Sequence, residues 1–393
     1  MSAKMKKQLK YLAACVLRVV TKVFHFFPVK QNRILFHAYD GKHVCCNPKA
    51  VFEGLMARYP GQFEYVWALS SRDELQPYTG EKIKNVKLRS LRFYLLKATA
   101  KVCVVNSASF PELPLRKNQF QVYTHHGGGA YKTAGAAIKG AGTKSNIKKL
   151  TWDAANTSLF LSSSRYFTDE VIRKQKLFDG EVYPYGMPRN DKLLRHTYAE
   201  GKKKVLDYYR LDGSVCMILY APTYRDASKK QYDPIDIDAV MKAVQSRFDG
   251  KWIFLMRAHY LGKCSGIGSN VISATDYPDM QDLLCAADIL ISDYSSCIWD
   301  FSFTYKPCIL YTPDLEEYRQ ERGFVRDISE WHFPYCENNE SLVRCIENFD
   351  EEAFVAGMKQ HHEDLGSCET GEATESVCEY IYKVCFGNQG KEA

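Results

Sequence analysis

Short apolar runs alternate with helical patterns along almost the whole chain, and they do so in two successive series. After Pro28, strand candidates fall at Arg33–His37, Glu64–Ala68, Val102–Asn106, Gln121–Thr124 and Leu159–Ser162, with helical stretches such as Pro48–Arg58 and Leu91–Thr99 between them. The pattern breaks at Gly186-Met187-Pro188-Arg189-Asn190-Asp191, and a charged helix follows over Lys202–Tyr209. A second series then opens: Val215–Tyr220, Trp252–Met256, Val271–Ser273, Ile289–Ile291 and Cys308–Tyr311. Strands separated by helices pair in parallel, and a parallel sheet is covered by helices on both faces. The chain is therefore predicted to be α/β, with two Rossmann-like domains facing a central cleft, the arrangement of nucleotide-dependent transferases. The expected divisions are residues 1–28 for an N-terminal helix, 29–195 for the first domain and 196–393 for the second with its C-terminal helices.

Composition narrows the class. Hydrophobic residues at 46% and charged residues at 25% allow a sizeable core. A net charge of +7 suits phosphate-rich substrates or an anionic membrane, and is too small to imply nucleic acid. The 14 cysteines include no C-x-x-C pair and no metal-ligand grouping with histidine, so they read as small buried hydrophobes in a reducing compartment, and no metal is expected. Between Met5 and Phe27, Leu9, Leu12, Val16, Val20, Val23 and Phe27 recur at helical spacing, with Lys6, Lys7, Lys10, Arg18 and Lys22 on the other face. The charges rule against a membrane-spanning helix. Two readings fit: a basic amphipathic helix lying in the membrane interface, or a helix packed on the core.

Ligands of such sheets bind beyond the carboxyl ends of the strands, so the residues there carry the functional reading. After Gln121–Thr124 comes His125-His126-Gly127-Gly128-Gly129, in which glycine admits a close ligand and histidine can move a proton near neutral pH. After Val215–Tyr220 comes Ala221-Pro222-Thr223-Tyr224-Arg225-Asp226, and after Trp252–Met256 comes Arg257-Ala258-His259, a plausible phosphate clamp. The run Ile289–Ile291 breaks into Ser292-Asp293-Tyr294-Ser295-Ser296 before turning helical at Ile298, which reads either as a phosphate seat or as a serine capping a helix. There is no G-x-G-x-x-G, no P-loop and no G-x-S-x-G.

At these residues the chain resembles the CDP-glycerol glycerophosphotransferases of teichoic-acid synthesis. The resemblance runs from about Arg33 to Asp327 and rests on Y-G-M-P-R-N-D (Tyr185–Asp191), Y-A-P-T-Y-R-D (Tyr220–Asp226), M-R-A-H (Met256–His259), D-I-L-I-S-D-Y-S-S-C-I-W-D-F (Asp288–Phe301) and E-E-Y-R-Q-E-R-G-F (Glu316–Phe324). It implies a GT-B-like fold and peripheral attachment, through the N-terminal helix, to the cytoplasmic face of the bacterial cell membrane. It implies His126 as general base on an acceptor hydroxyl, His259 as a second catalytic residue, and a donor site drawn from Arg189, Pro222, Thr223, Arg225, Arg257, Ala258, Ser295, Ser296 and Asp300. His125, Gly127, Gly128 and Gly129 would line the acceptor side. The implied partners are a CDP-linked polyol donor and a lipid-linked glycan or polyol-phosphate acceptor, with no cofactor beyond the donor substrate. The chain departs from the family's W-H-G-T-P-L-K, having His125-His126-Gly127-Gly128-Gly129-Ala130-Tyr131-Lys132 instead, so the polyol could differ from glycerol. CDP-ribitol transfer, nucleotide-sugar glycosyl transfer and a non-catalytic envelope scaffold are the alternatives.

Overall fold

The computed structural model describes residues 3–39, 41–70, 75, 78, 82–107, 110–140, 142–223, 234–257 and 270–387. Its strands are β1 Lys30–His37, β2 Glu64–Ala68, β3 Ile83–Val86, β4 Ala100–Val105, β5 Phe120–Tyr123, β6 Leu159–Leu161, β7 Glu181–Tyr183, β8 Val215–Tyr220, β9 Lys251–Met256, β10 Val271–Ser273, β11 Ile289–Ser292, β12 Cys308–Tyr311 and β13 Tyr335–Cys336. They form a seven-stranded sheet in the order β3-β2-β1-β4-β5-β6-β7 and a six-stranded sheet in the order β10-β9-β8-β11-β12-β13. The pairings are parallel throughout. In each sheet the chain winds outward one way, returns, and winds outward the other way. The switch points therefore lie between β1 and β4 and between β8 and β11, where doubly wound sheets take their ligands.

The chain divides into two compact units, Met1–His126 with Ala134–Asp191 and Cys368–Ala393, and Gly127–Thr133 with Lys192–Ser367. The sequence-based split at residue 195 differs from this in the boundary, which falls after Asp191, and in two segments. The segment Gly127–Thr133 belongs to the second unit, and the C-terminal helix Ala373–Phe386 belongs to the first. The helix is held there by packing and capping. Tyr382 stacks on Tyr59 at 4.2 Å, Gly54 meets Thr374 so closely that a Cβ would lie 2.5 Å from its Cγ2, and the Asp191 carboxylate accepts the amides of Ala373 and Thr374.

In the first unit, strand alternation sends Ile34, Phe36, Val102 and Val104 to one face, beneath Phe52 and Leu55 and beneath Val377 and Ile381 of the C-terminal helix. Leu35, Val66 and Cys103 go to the other, beneath Phe93 and Leu96. The unpredicted strands β3, β7 and β13 are the edges of their sheets and carry exposed or half-exposed residues, so they lack the continuous apolar signal of a central strand.

Helix α1 (Ala3–Val20) continues into a tighter helical turn, Thr21–Phe26. Tyr11, Arg18, Thr21 and His25 fasten it to the first unit. Tyr11 stacks on Trp152, the Arg18 guanidinium lies 4.8 Å from the same ring and donates to the Pro111 carbonyl, Thr21 Oγ1 donates to Glu112 O, and His25 Nε2 bonds Pro114 O. Arg18 thus sits on the inward side, opposite the apolar stripe. The stripe of Leu9, Leu12, Val16, Val20, Val23 and Phe27 is half or more exposed, reaching 62% at Val16. Among the described residues no helix is long and apolar enough to cross a membrane.

Candidate active site

In the second unit the switch point is tied together by one carboxylate. Asp293, directly after β11 and 3% exposed, accepts from the Thr223 amide at 2.8 Å, the Thr223 hydroxyl at 2.7 Å and the Ser295 amide at 3.1 Å. Ser292 Oγ donates to Ala221 O at 2.7 Å, locking the end of β8 to the end of β11. Pro222, Thr223, Ser295 and Ser296 are thereby brought into one half-buried group. Ser296 begins the helix Cys297–Ser302 without a side-chain capping bond. Arg257, at the end of β9, gives its amide to Tyr220 O and one guanidinium nitrogen to the carbonyls of Ala274 and Tyr277, which aims the side chain along the same edge of the sheet. Asp300 is turned inward, 3% exposed, and accepts from Gln281 Nε2 at 3.0 Å. Arg225, Ala258 and His259 lie outside the described residues.

In the first unit a second group forms at the β1/β4 switch point. Asn106, fully buried directly after β4, takes the Tyr39 amide on its Oδ1 at 2.8 Å, and Ser107 Oγ reaches Tyr39 O. The Asn106 carbonyl receives His126 Nδ1 at 2.8 Å. A carbonyl only accepts, so Nδ1 carries the hydrogen and Nε2 is the basic nitrogen. His126 stacks on His125 at 4.8 Å and meets Tyr39 at 5.3 Å. His125 is different: it has φ +53°, is 7% exposed and is turned among Phe160 and Phe167. Asn47 braces the strand end, donating to the Thr124 and His125 carbonyls and accepting the Arg189 amide. Arg189 is a residue of this unit, 4% exposed, with Nη1 3.1 Å from Cys46 Sγ.

The glycines have a packing role. A Cβ at Gly128 would lie 2.1 Å from Trp299 Cδ1, and Gly129 has φ +68° with the Tyr131 ring 2.4 Å from where its Cβ would be. Asn47, Asn106 and Asp293 were not singled out by sequence reasoning; the available signal for Asn106 and Asp293 was their position at the strand ends already marked, whereas Asn47 lies at the start of the helix Cys46–Arg58.

Two doubly wound units, each gathering polar side chains at its switch point, define a GT-B-like architecture. The chain belongs to the CDP-Glycerol:Poly(glycerophosphate) glycerophosphotransferase family, whose profile matches residues 19–383. It is an enzyme of that family. It is 25% identical to the teichoic acid poly(glycerol phosphate) polymerase of Bacillus spizizenii, covering 97% of this chain and 100% of the relative. To the teichoic acid glycerol-phosphate transferase of Staphylococcus aureus it is 27% identical, covering 96% of this chain and 100% of the relative. The solved wall teichoic acid polymerase TagF superposes with a TM-score of 0.80 at 24% identity over 97% of each chain. A putative UDP-N-acetylglucosamine 2-epimerase from Listeria monocytogenes has a TM-score of 0.54 at 12% identity, covering 90% of this chain and 96% of the other. The fold is thus shared beyond the family.

Proposed function

We propose that this enzyme transfers glycerol phosphate from CDP-glycerol to a lipid-linked teichoic-acid or capsule precursor and releases CMP, with His126 as general base. The observation that carries the reading is the His126 Nδ1 bond to Asn106 O, which makes Nε2 the basic nitrogen, the one suited to take the acceptor's hydroxyl proton. The acceptor oxygen then attacks the glycerol-bearing phosphorus, the bond from phosphorus to the CMP oxygen breaks, and CMP leaves with the electron pair. Charge on the phosphoryl oxygens calls for fixed donors, a role suited to Arg257, Thr223, Ser295 and Ser296. His259 is assigned as the second catalytic histidine on family resemblance. The outward apolar stripe of α1 supports docking at the cytoplasmic face of the membrane.

A ribitol donor is the rival. The chain is also 26% identical over 299 residues to a teichoic acid ribitol-phosphate primase of Bacillus spizizenii, and the His125–Gly129 segment departs from the family pattern. Purified enzyme given CDP-glycerol or CDP-ribitol with a lipid-linked acceptor should release CMP with one donor preferred. Loss of the general base in His126→Gln should lower turnover about 10²- to 10⁴-fold with folding intact. Absence of acceptor-dependent CMP from both donors would sink the proposal.

A further inference from the structure

Beneath α1 the first unit has a cavity of about 690 Å³, open on one side and within the range of small-molecule pockets. Ala14 and Leu17 of α1 form one wall, and Phe110, Tyr123 and Trp152 supply aromatic surface on the others. Arg89, Lys149 and Lys176 bring positive charge to this apolar lining, outnumbering the carboxylates of Asp153 and Glu112, the latter of which accepts from the Tyr94 hydroxyl. An uncharged ligand would make no use of those cations, and a small ion would make no use of the aromatic walls.

Two continuities orient the cavity. On α1, Ala14 and Leu17 line it while Leu12 and Val16 form part of the exposed apolar stripe, so the same helix borders the cavity and presents hydrocarbon outward. On the other side, Tyr123 stacks with His125 at 6.2 Å and His125 stacks on His126 at 4.8 Å, a column of rings from the cavity wall to the proposed base. We infer that the cavity seats the hydrocarbon chain of a single-chain lipid phosphate, with Arg89 and Lys176 facing its phosphate: the lipid end of the acceptor. This inference rests on the lipid-linked acceptor read above, and it adds the place where the lipid is held.

The test uses a bromoalkyl phosphate, whose bromine quenches a nearby indole, and the full-length enzyme without CDP-glycerol. Trp152 lines the cavity, and the other four tryptophans, Trp67, Trp252, Trp299 and Trp331, are buried elsewhere. Saturable quenching is expected in the wild type and should be absent in Trp152→Phe, which keeps a ring for Tyr11 and Arg18. Filling the cavity with Ala14→Phe should weaken binding about tenfold or more. The same variant should raise KM for the lipid acceptor by a similar factor and leave KM for CDP-glycerol unchanged. Inorganic phosphate should not compete, which separates a lipid phosphate from a free anion. No quenching of Trp152 overturns the inference, as does quenching that Ala14→Phe leaves unchanged. Equal quenching of wild type and Ala14→Phe by vesicles of brominated diacyl phospholipid, with none by the alkyl phosphate, also overturns it, since that is surface contact by α1. Normal CMP release without Trp152 quenching removes the cavity and leaves the proposed function standing. Cavity-dependent quenching with no CMP release from any lipid acceptor supports the cavity and removes the function.

Discussion

A methyl group at Gly128 would meet Trp299 at 2.1 Å from Cδ1 and 2.6 Å from Nε1, with the indole wholly buried. Gly128→Ala is therefore expected to destabilise the second unit by about 1–3 kcal/mol, the usual cost of overpacking. Shrinking the ring with Trp299→Leu in the same chain should recover part of the loss, and a double-mutant cycle by urea unfolding would measure that coupling. The sequence reading gave these glycines to a ligand, because close packing against a residue far along the chain has no local signature. The same limit hid Asn106 and Asp293: each holds backbone on a segment about 70 residues away. The preference for His126 over His125 as the proposed base rests on the glycine that follows it, whereas the inward turn of His125 at φ +53° has no local signal. Asp293→Asn keeps the shape and removes the charge that organises Thr223 and Ser295. Weakening such a charge-assisted bond by about 1.5–3 kcal/mol should raise KM for CDP-glycerol by roughly tenfold or more. An unchanged KM would separate this loop from donor binding.

The two switch points use one device. After the fourth strand of each sheet, the first residue (Asn106 after β4, Asp293 after β11) accepts the amide of a residue in the loop after the first strand, Tyr39 or Thr223. No sequence repeat announces this, because the shared element is a backbone path, and one amide and one carboxylate serve it equally. Central strands were legible since burial on both faces demands continuous apolar residues, as in the fully buried β2 and β4. The C-terminal helix was legible as a helix but not as part of the first unit. Val377 and Ile381 of that helix are fully buried in the first unit's core. Ile381→Ala should cost about 2–5 kcal/mol. Hydrogen exchange should rise across β1 and β4 and leave β8 and β11 protected; uniform loss across both sheets would contradict the assignment.

At the scale of the molecule, acid is expected to unfold the enzyme through buried histidines. Burial, aided by the charges of Lys97 and Arg89, lowers the pKa of His37 from 6.5 to about 4 in the first unit. In the second unit burial lowers His361 from 6.5 to about 3 and His362 to about 4, where Tyr131 and Ser302 hydroxyls bond their Nε2 atoms. All three stay largely neutral in the native state between pH 6.5 and about 4, whereas an unfolded chain protonates them as pH falls through 6.5. The unfolded state then binds more protons, so stability is lost as pH drops from 6.5 toward about 4, by about 1.4 kcal/mol per pH unit for each histidine. Above pH 7 these groups contribute no slope. Among the described residues the second unit carries two histidines lowered to about 4 or below and the first unit one, with His25 lowered as well but without so large a shift, so the second should lose protection faster in hydrogen exchange followed over that window. His362→Gln, which keeps a donor and acceptor near Ser302 but does not titrate, should flatten the pH dependence of the second unit and leave that of the first unchanged. A slope in the second unit that survives this substitution undiminished would show that the acid sensitivity arises elsewhere.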